Sequence, residues 1–128
     1  MGVCRLYLYY TTPDVLLFVE ALSGKYKNAA RLSFSTKLVD YFAARKCILA
    51  IAPSDHASIE YLRNNELAMT AETDNEIISV LENAYKDRTI LNKYAERMYQ
   101  YAVKHHSKEI IYDIFIDTIM KQKDINEI

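Results

Sequence analysis

Apolar residues are spaced in two ways along this chain. Short unbroken runs, "VLLFV" at 15–19 and "CILAIA" at 47–52, alternate with longer stretches in which apolar positions recur every three or four residues. An unbroken run of four to eight fits a strand buried on both faces, and a period of 3.6 fits a helix with one inward side. The pattern predicts strands at Arg5–Tyr10, Val15–Val19, Cys47–Ala52 and Leu67–Thr70. Pro13-Asp14 turns the chain into the second strand, and Pro53 ends the third.

Helices are predicted between and after these runs. One should begin near Ser35, where hydroxyl side chains can cap free backbone N–H groups, with Leu38, Tyr41 and Phe42 on its inner face. "SDHASIEYLRNN" gives a short helix that turns Ile59 and Leu62 inward. "TDNE" at 73–76 has the spacing of a capping box, and Ile77, Val80, Leu81, Ala84 and Tyr85 follow at helical intervals. Leu91, Tyr94, Ala95, Met98 and Ala102 form another such stripe, which "HHS" at 105–107 interrupts. Ser107 then caps a last helix whose Ile110, Ile111, Ile114, Phe115 and Ile119 are expected to face inward. Ser23–Ser33 reads as a polar, basic loop and "KQKDINEI" as a frayed tail. Strands alternating with helices predict an α/β fold: a partial Rossmann-like parallel sheet with flanking helices, covered on both faces, and a helical C-terminus.

Composition narrows the classes of function. The chain has 128 residues, 51% of them hydrophobic, which suits one domain with a core of its own. A net charge of −1 offers no general attraction to nucleic acid. The charge is uneven, however. Residues 1–54 hold seven Lys/Arg and three Asp/Glu, against nine and fourteen in residues 55–128, so the first part carries +4 and the second −5. A local excess of that size suits a small anion. The two cysteines, Cys4 and Cys47, suggest no disulfide framework or metal cluster, and Cys47 lies in an apolar run as a buried free thiol would. No signal peptide or run of membrane-spanning length is visible, which gives a cytoplasmic expectation, including the inner face of the membrane.

Ligands of open parallel sheets bind at the carboxyl ends of the strands. Glu20 closes "DVLLFV" at one such end, and the helix opening at Ser33–Lys37 lies at another. There Ser35, Thr36 and Lys37 offer hydroxyls and a cation for a phosphate, beside the partial positive charge of a helix start. Asp40, about one turn in, can accept hydrogen bonds from two ribose hydroxyls. Lys25, Lys27 and Arg31 could complete an anion site, but read first as a solvated basic loop. His56, His105 and His106 lack partners at metal-ligand spacing and read as solvent-facing. There is no glycine-rich phosphate loop, nucleophile elbow or Ser–His–Asp order.

"DVLLFVE", "RLSFSTKLVDYFAARKCILAI" and "SIEYL" together resemble the C-terminal nucleotide-sugar-binding domain of GT-B type glycosyltransferases, in particular retaining, group-1-like bacterial enzymes that build surface polysaccharides. The likeness runs from about Pro13 to Met120, and "FSTKLVDYFAA" before a buried strand is its most specific part. The resemblance implies that Glu20 serves as the catalytic carboxylate near the donor sugar. It places Asp40 on the ribose and Ser35, Thr36 and Lys37 on the phosphates. It implies a nucleoside-diphosphate sugar as donor substrate, no metal or other cofactor, and transfer to an acceptor hydroxyl. The second carboxylate is usually Glu in that family and is Asp40 here. The helix usually ends in a Gly-then-Pro pattern in that family, and Arg45, Lys46 and Cys47 stand there instead. The basic pair that neutralises the leaving diphosphate, and the N-terminal acceptor domain, have no counterpart in 128 residues. The implied identity is thus a truncated donor-binding half, inactive alone. Such a half-sheet should have an acceptor domain as partner, or self-associate through an exposed sheet edge or apolar helix face. Two other readings stand beside it: a receiver-like signalling domain, for which "PDVLLFVE" carries no Asp at the strand end, and a non-catalytic interaction module.

Overall fold

The structure, a computed structural model, describes residues 13–126, with side chains described as far as Met120. The strand expected at Arg5–Tyr10 lies outside the described residues. The elements are β1 (Val15–Val19), α1 (Lys25–Arg31), α2 (Lys37–Ala43), β2 (Cys47–Ile51), α3 (Ala57–Asn64), β3 (Met69–Ala71), α4 (Asp74–Lys86), α5 (Thr89–His105) and α6 (Lys108–Asn126). The three strands form one parallel sheet in the order β1-β2-β3. Val15 pairs with Cys47 and Val19 with Ile51, while Leu49 pairs with Met69. The fold is the mixed α/β arrangement the alternation predicts, with a parallel sheet, flanking helices and a helical C-terminus.

Strand side chains alternate between the two faces of the sheet. Leu16, Phe18, Ile48, Ala50 and Ala52 point to one face. Leu38 and Phe42 of α2 cover them, together with Ile59 and Leu62 of α3 and Met98 of α5. Cys47, Leu49 and Met69 point to the other, where Ala84 of α4 and Ile90, Leu91 and Tyr94 of α5 meet them. The first half of α5 thus belongs to one core and its second half to the other.

This second face is not covered along its whole width. Leu17 and Val19 of β1 are exposed there, against the expectation of burial on both faces. The described helices α4 and α5 lie over β3 and β2, and on this face Val15 of β1 packs against the cluster they form.

Local chemistry sets the helix limits. Thr73 and Glu76 form the expected capping box at the start of α4. The Ser107 hydroxyl accepts from the backbone N–H of Ile110 at the start of α6. After α2 and α3 the chain turns through left-handed residues, Arg45 (φ 54°) and Glu66 (φ 51°), where glycine is the usual choice. Each side chain reaches α5: Arg45 binds Glu96 and lies over the Tyr99 ring, and Glu66 binds Arg97. Two cross-links thereby accompany the strain at these positions, which is on the order of 1 kcal/mol each.

Three further expectations are corrected. The basic stretch read as a loop contains helix α1, preceded by Gly24 at φ 81°. Of the α4 stripe only Ala84 is buried, because the other positions face solvent or the rim of the second core. In α6, Ile110 is half-buried, but Ile111, Ile114, Phe115 and Ile119 are exposed rather than inward, and the helical backbone continues to Asn126 instead of fraying. No helix among the described residues is long and apolar enough to cross a membrane.

Candidate functional site

Parallel strands deliver their carboxyl ends to one edge, and a buried polar cluster occupies that edge. Glu20 follows β1 and its backbone N–H donates to the Ile51 carbonyl at 3.0 Å, which continues the ladder by one residue. Its side chain turns inward and is 10% exposed. His56, the residue before α3, places Nδ1 2.7 Å from Glu20 Oε2. A carboxylate can only accept, so the hydrogen sits on Nδ1. Ser58 Oγ lies 3.3 Å from Glu20 Oε1 and 3.1 Å from the Ser33 carbonyl, and shares its one hydrogen between them. Four positions, Glu20, Ser33 and His56 from three loops and Ser58 from the first turn of α3, are thereby joined beyond the ends of β1 and β2.

His56 is fully buried, which corrects its solvent-facing reading. Its Nε2 is also buried and has no hydrogen-bond partner among the described residues. An unmade bond at a buried polar atom costs about 1–3 kcal/mol. The sequence carried one signal for this arrangement: Pro53 stops β2, so residues 54–58 must cross the same edge at which Glu20 emerges.

The predicted phosphate and ribose residues lie further along the same connection. Ser33 is tied down by Ser58, and Ser35 and Thr36 follow at the mouth of α2. Three backbone donors at this mouth are used by the protein itself. Lys37 N–H donates to the Ser35 hydroxyl at 3.4 Å, Leu38 N–H to the Ser35 carbonyl and Val39 N–H to the Thr36 carbonyl. Any hold on an anion therefore falls mainly to side chains. The Thr36 hydroxyl makes no cap bond. The Lys37 and Asp40 side chains are exposed and have no hydrogen bond or ion pair with another described residue. Helical geometry explains the position of Asp40. Leu38 and Phe42 are buried against the sheet and the Tyr41 hydroxyl donates to the Leu17 carbonyl at 3.1 Å, so Asp40 falls on the opposite side. Glu20 and Asp40 thus differ: the first is enclosed and paired, the second open to solvent. The basic loop residues separate as well, with Arg31 paired to Asp55 at 3.4 Å and Lys25 over the Tyr26 ring.

A second polar grouping joins α3 to the end of α5. Tyr61 Oη lies 2.6 Å from His106 Nε2, and the Phe42 ring stacks on His106. His105 stacks on Tyr101 at 4.3 Å. Burial, helped by the bond to Tyr101, pushes the Tyr61 hydroxyl well above its ordinary value. Burial and the neighbouring His105 push His106 below the usual histidine value. The tyrosine therefore donates and a neutral His106 accepts. Both histidines remain partly exposed, as expected, but they act as packing groups.

A cavity of about 460 Å³ lies elsewhere, between β3, α4 and α5, where Arg63, Met69, Val80 and Tyr94 line it. It contains none of the residues with candidate chemistry. The carboxyl edge has the carboxylate, the imidazole and the open side chains, and is the better candidate on chemical grounds. Among the described residues no group of three or more His, Cys, Asp or Glu could hold a metal ion. No family model, curated protein or solved structure matches the chain.

Proposed function

We propose that this chain supplies part of the donor-binding half of a GT-B type glycosyltransferase, and that it contacts a nucleoside-diphosphate sugar at the carboxyl edge of its sheet. The observation that supports this reading is the free state of Thr36, Lys37 and Asp40. A hydroxyl, a cation and a carboxylate stand exposed and unengaged along a connection that Ser58 and Glu20 hold at the ligand-binding edge of a parallel sheet. The resemblance of "FSTKLVDYFAA" to the family's donor-binding segment falls on the same residues. In this reading Lys37 and Thr36 meet the diphosphate and Asp40 accepts from the ribose hydroxyls. Glu20 faces the donor sugar from its bonded position. Catalysis in the complete enzyme would rest on positioning and on stabilising the departing diphosphate. The acceptor domain would come from another chain or segment.

Calorimetric titration of the full chain with UDP and with GDP tests this. One of them should bind, and Asp40→Ala should weaken it about tenfold, the worth of roughly 1.4 kcal/mol of ribose hydrogen bonding. Lys37→Ala should weaken it further and remove most of its salt dependence. Absence of binding by either nucleotide at millimolar concentration, or binding indifferent to both substitutions, would reject the assignment.

A further inference from the structure

The cavity between β3, α4 and α5 combines an apolar lining with polar side chains whose bonds are unmade. Buried Met69 of β3 and Ala84 of α4 line its inner part, and half-buried Val80, Ile90 and Tyr94 stand around them. Its volume of about 460 Å³ lies within the span of small-molecule sites, roughly 300–1,000 Å³. Such sites share this make-up, apolar walls with a few polar groups that orient the ligand.

The polar groups are Arg63, Asn83 and the Tyr94 hydroxyl. None of these three side chains makes a hydrogen bond or ion pair with another described residue. The acids nearby are committed elsewhere. Glu66, which also lines the cavity, binds Arg97. Glu76, close enough to Arg63 to feel its charge, accepts from the backbone N–H groups of Glu72 at 2.7 Å and Thr73 at 3.2 Å. A guanidinium without a paired carboxylate is thereby set beside an apolar hollow.

We propose that this cavity binds a small organic acid, its aromatic or branched apolar body against Val80, Ile90 and Tyr94 and its carboxylate on Arg63. Charge complementarity selects the acid. A guanidinium meets a carboxylate through two parallel N–H bonds, and the Asn83 amide can donate to the same group. Among the described residues that line the cavity Arg63 is the one cation, which matches a single negative charge better than the two of a phosphate ester. The apolar walls supply the affinity that one exposed ion pair would not.

Titration of the isotope-labelled full chain with 2-naphthoate, followed through backbone amide shifts, tests this. Naphthoate should bind with a dissociation constant below about 1 mM, and the shifted amides should be those of Met69, Val80, Ala84, Ile90 and Tyr94. Arg63→Met keeps an unbranched stem and removes the charge. It should weaken naphthoate at least tenfold, to the level of the neutral 2-naphthalenemethanol, whose own binding it leaves unchanged. Val80→Phe fills the cavity and should abolish binding of both probes. Absence of naphthoate binding at millimolar concentration, shifts centred on Leu17 and Val19 or on α6, indifference to Arg63→Met, undiminished binding by Val80→Phe, or a preference for naphthyl phosphate over naphthoate would each overturn the proposal. None of these readouts involves Thr36, Lys37 or Asp40, so the outcome is separate from that of nucleotide binding.

Discussion

Leu16 and Leu17 are consecutive in β1 and identical in chemistry, yet one is 5% exposed and the other 54%. The difference lies in what packs on each face. On the side of Leu16, α2 and α3 follow directly from the strand connections, and their apolar stripes close over β1 and β2. On the side of Leu17, the described cover comes from α4 and α5, which follow β3 and protect the strands nearest to them. An apolar strand shows only that both faces can be buried. Whether they are depends on which helices are present to cover them.

The sharpest test of this contrast is a pair of truncations. Ile48→Ala, in the central strand and fully buried, should cost about 2–5 kcal/mol in urea unfolding, while Leu17→Ala should change stability by well under 1 kcal/mol. Equal losses would mean that the second face is covered in solution, for instance by a partner.

The next comparison is between the two carboxylates. Glu20→Ala leaves the buried Nδ1–H of His56 without its acceptor and should cost about 1–3 kcal/mol, read as a lower urea midpoint. Asp40→Ala, exposed and unpaired, should stay within about 0.5 kcal/mol. If Glu20 proved as silent as Asp40, the polar cluster at the carboxyl edge would be absent in solution.

A smaller effect should appear on acidification. His106 is held below the ordinary histidine value by burial and by His105, so the folded state favours its neutral form. That contribution is complete above the unfolded histidine value and is lost as pH falls through the lower folded one. Unfolding free energy should therefore decline on acidification through the histidine range, and His106→Phe should flatten that part of the curve. The Glu76 carboxyl, lowered mainly by backbone N–H donors of Glu72 and Thr73, acts in the same direction at more acid pH.

The mildest outcome is kinetic. Burial raises the Cys47 thiol to about 12. In a Cys4→Ser variant iodoacetamide should label it only after unfolding, and a fast reaction in native buffer would show that the sheet is open at Cys47.

Much of this architecture was legible in the chain. The run "VLLFV" is β1 to the residue, and "CILAI" is β2. Thr73 and Glu76 announce α4 because a capping box is built from residues three apart, with no help from the rest of the fold. The predicted inner faces of α2 and α3 agree with the structure at Leu38, Phe42, Ile59 and Leu62. The site was legible only in its positions. Glu20 stands at its strand end, and Ser35, Thr36 and Lys37 at the mouth of α2. That His56 would lie buried against Glu20, and that Ser58 would link Glu20 to Ser33, required pairings across 36, 38 and 25 residues.

Sequence alone determined the elements apart from α1, which was read as a loop, because strand runs, helical stripes and caps depend on neighbours within a few residues. It also set the parallel α/β class, since helical connections between buried strands allow little else. Tertiary structure alone decided which apolar surfaces are hidden. It buried His56 and left the row on α6 outside. It also let Arg45 and Glu66 take left-handed backbone, each with a partner on α5. Burial and long-range pairing are properties of the assembled layers, and local pattern shows only which residues can take part.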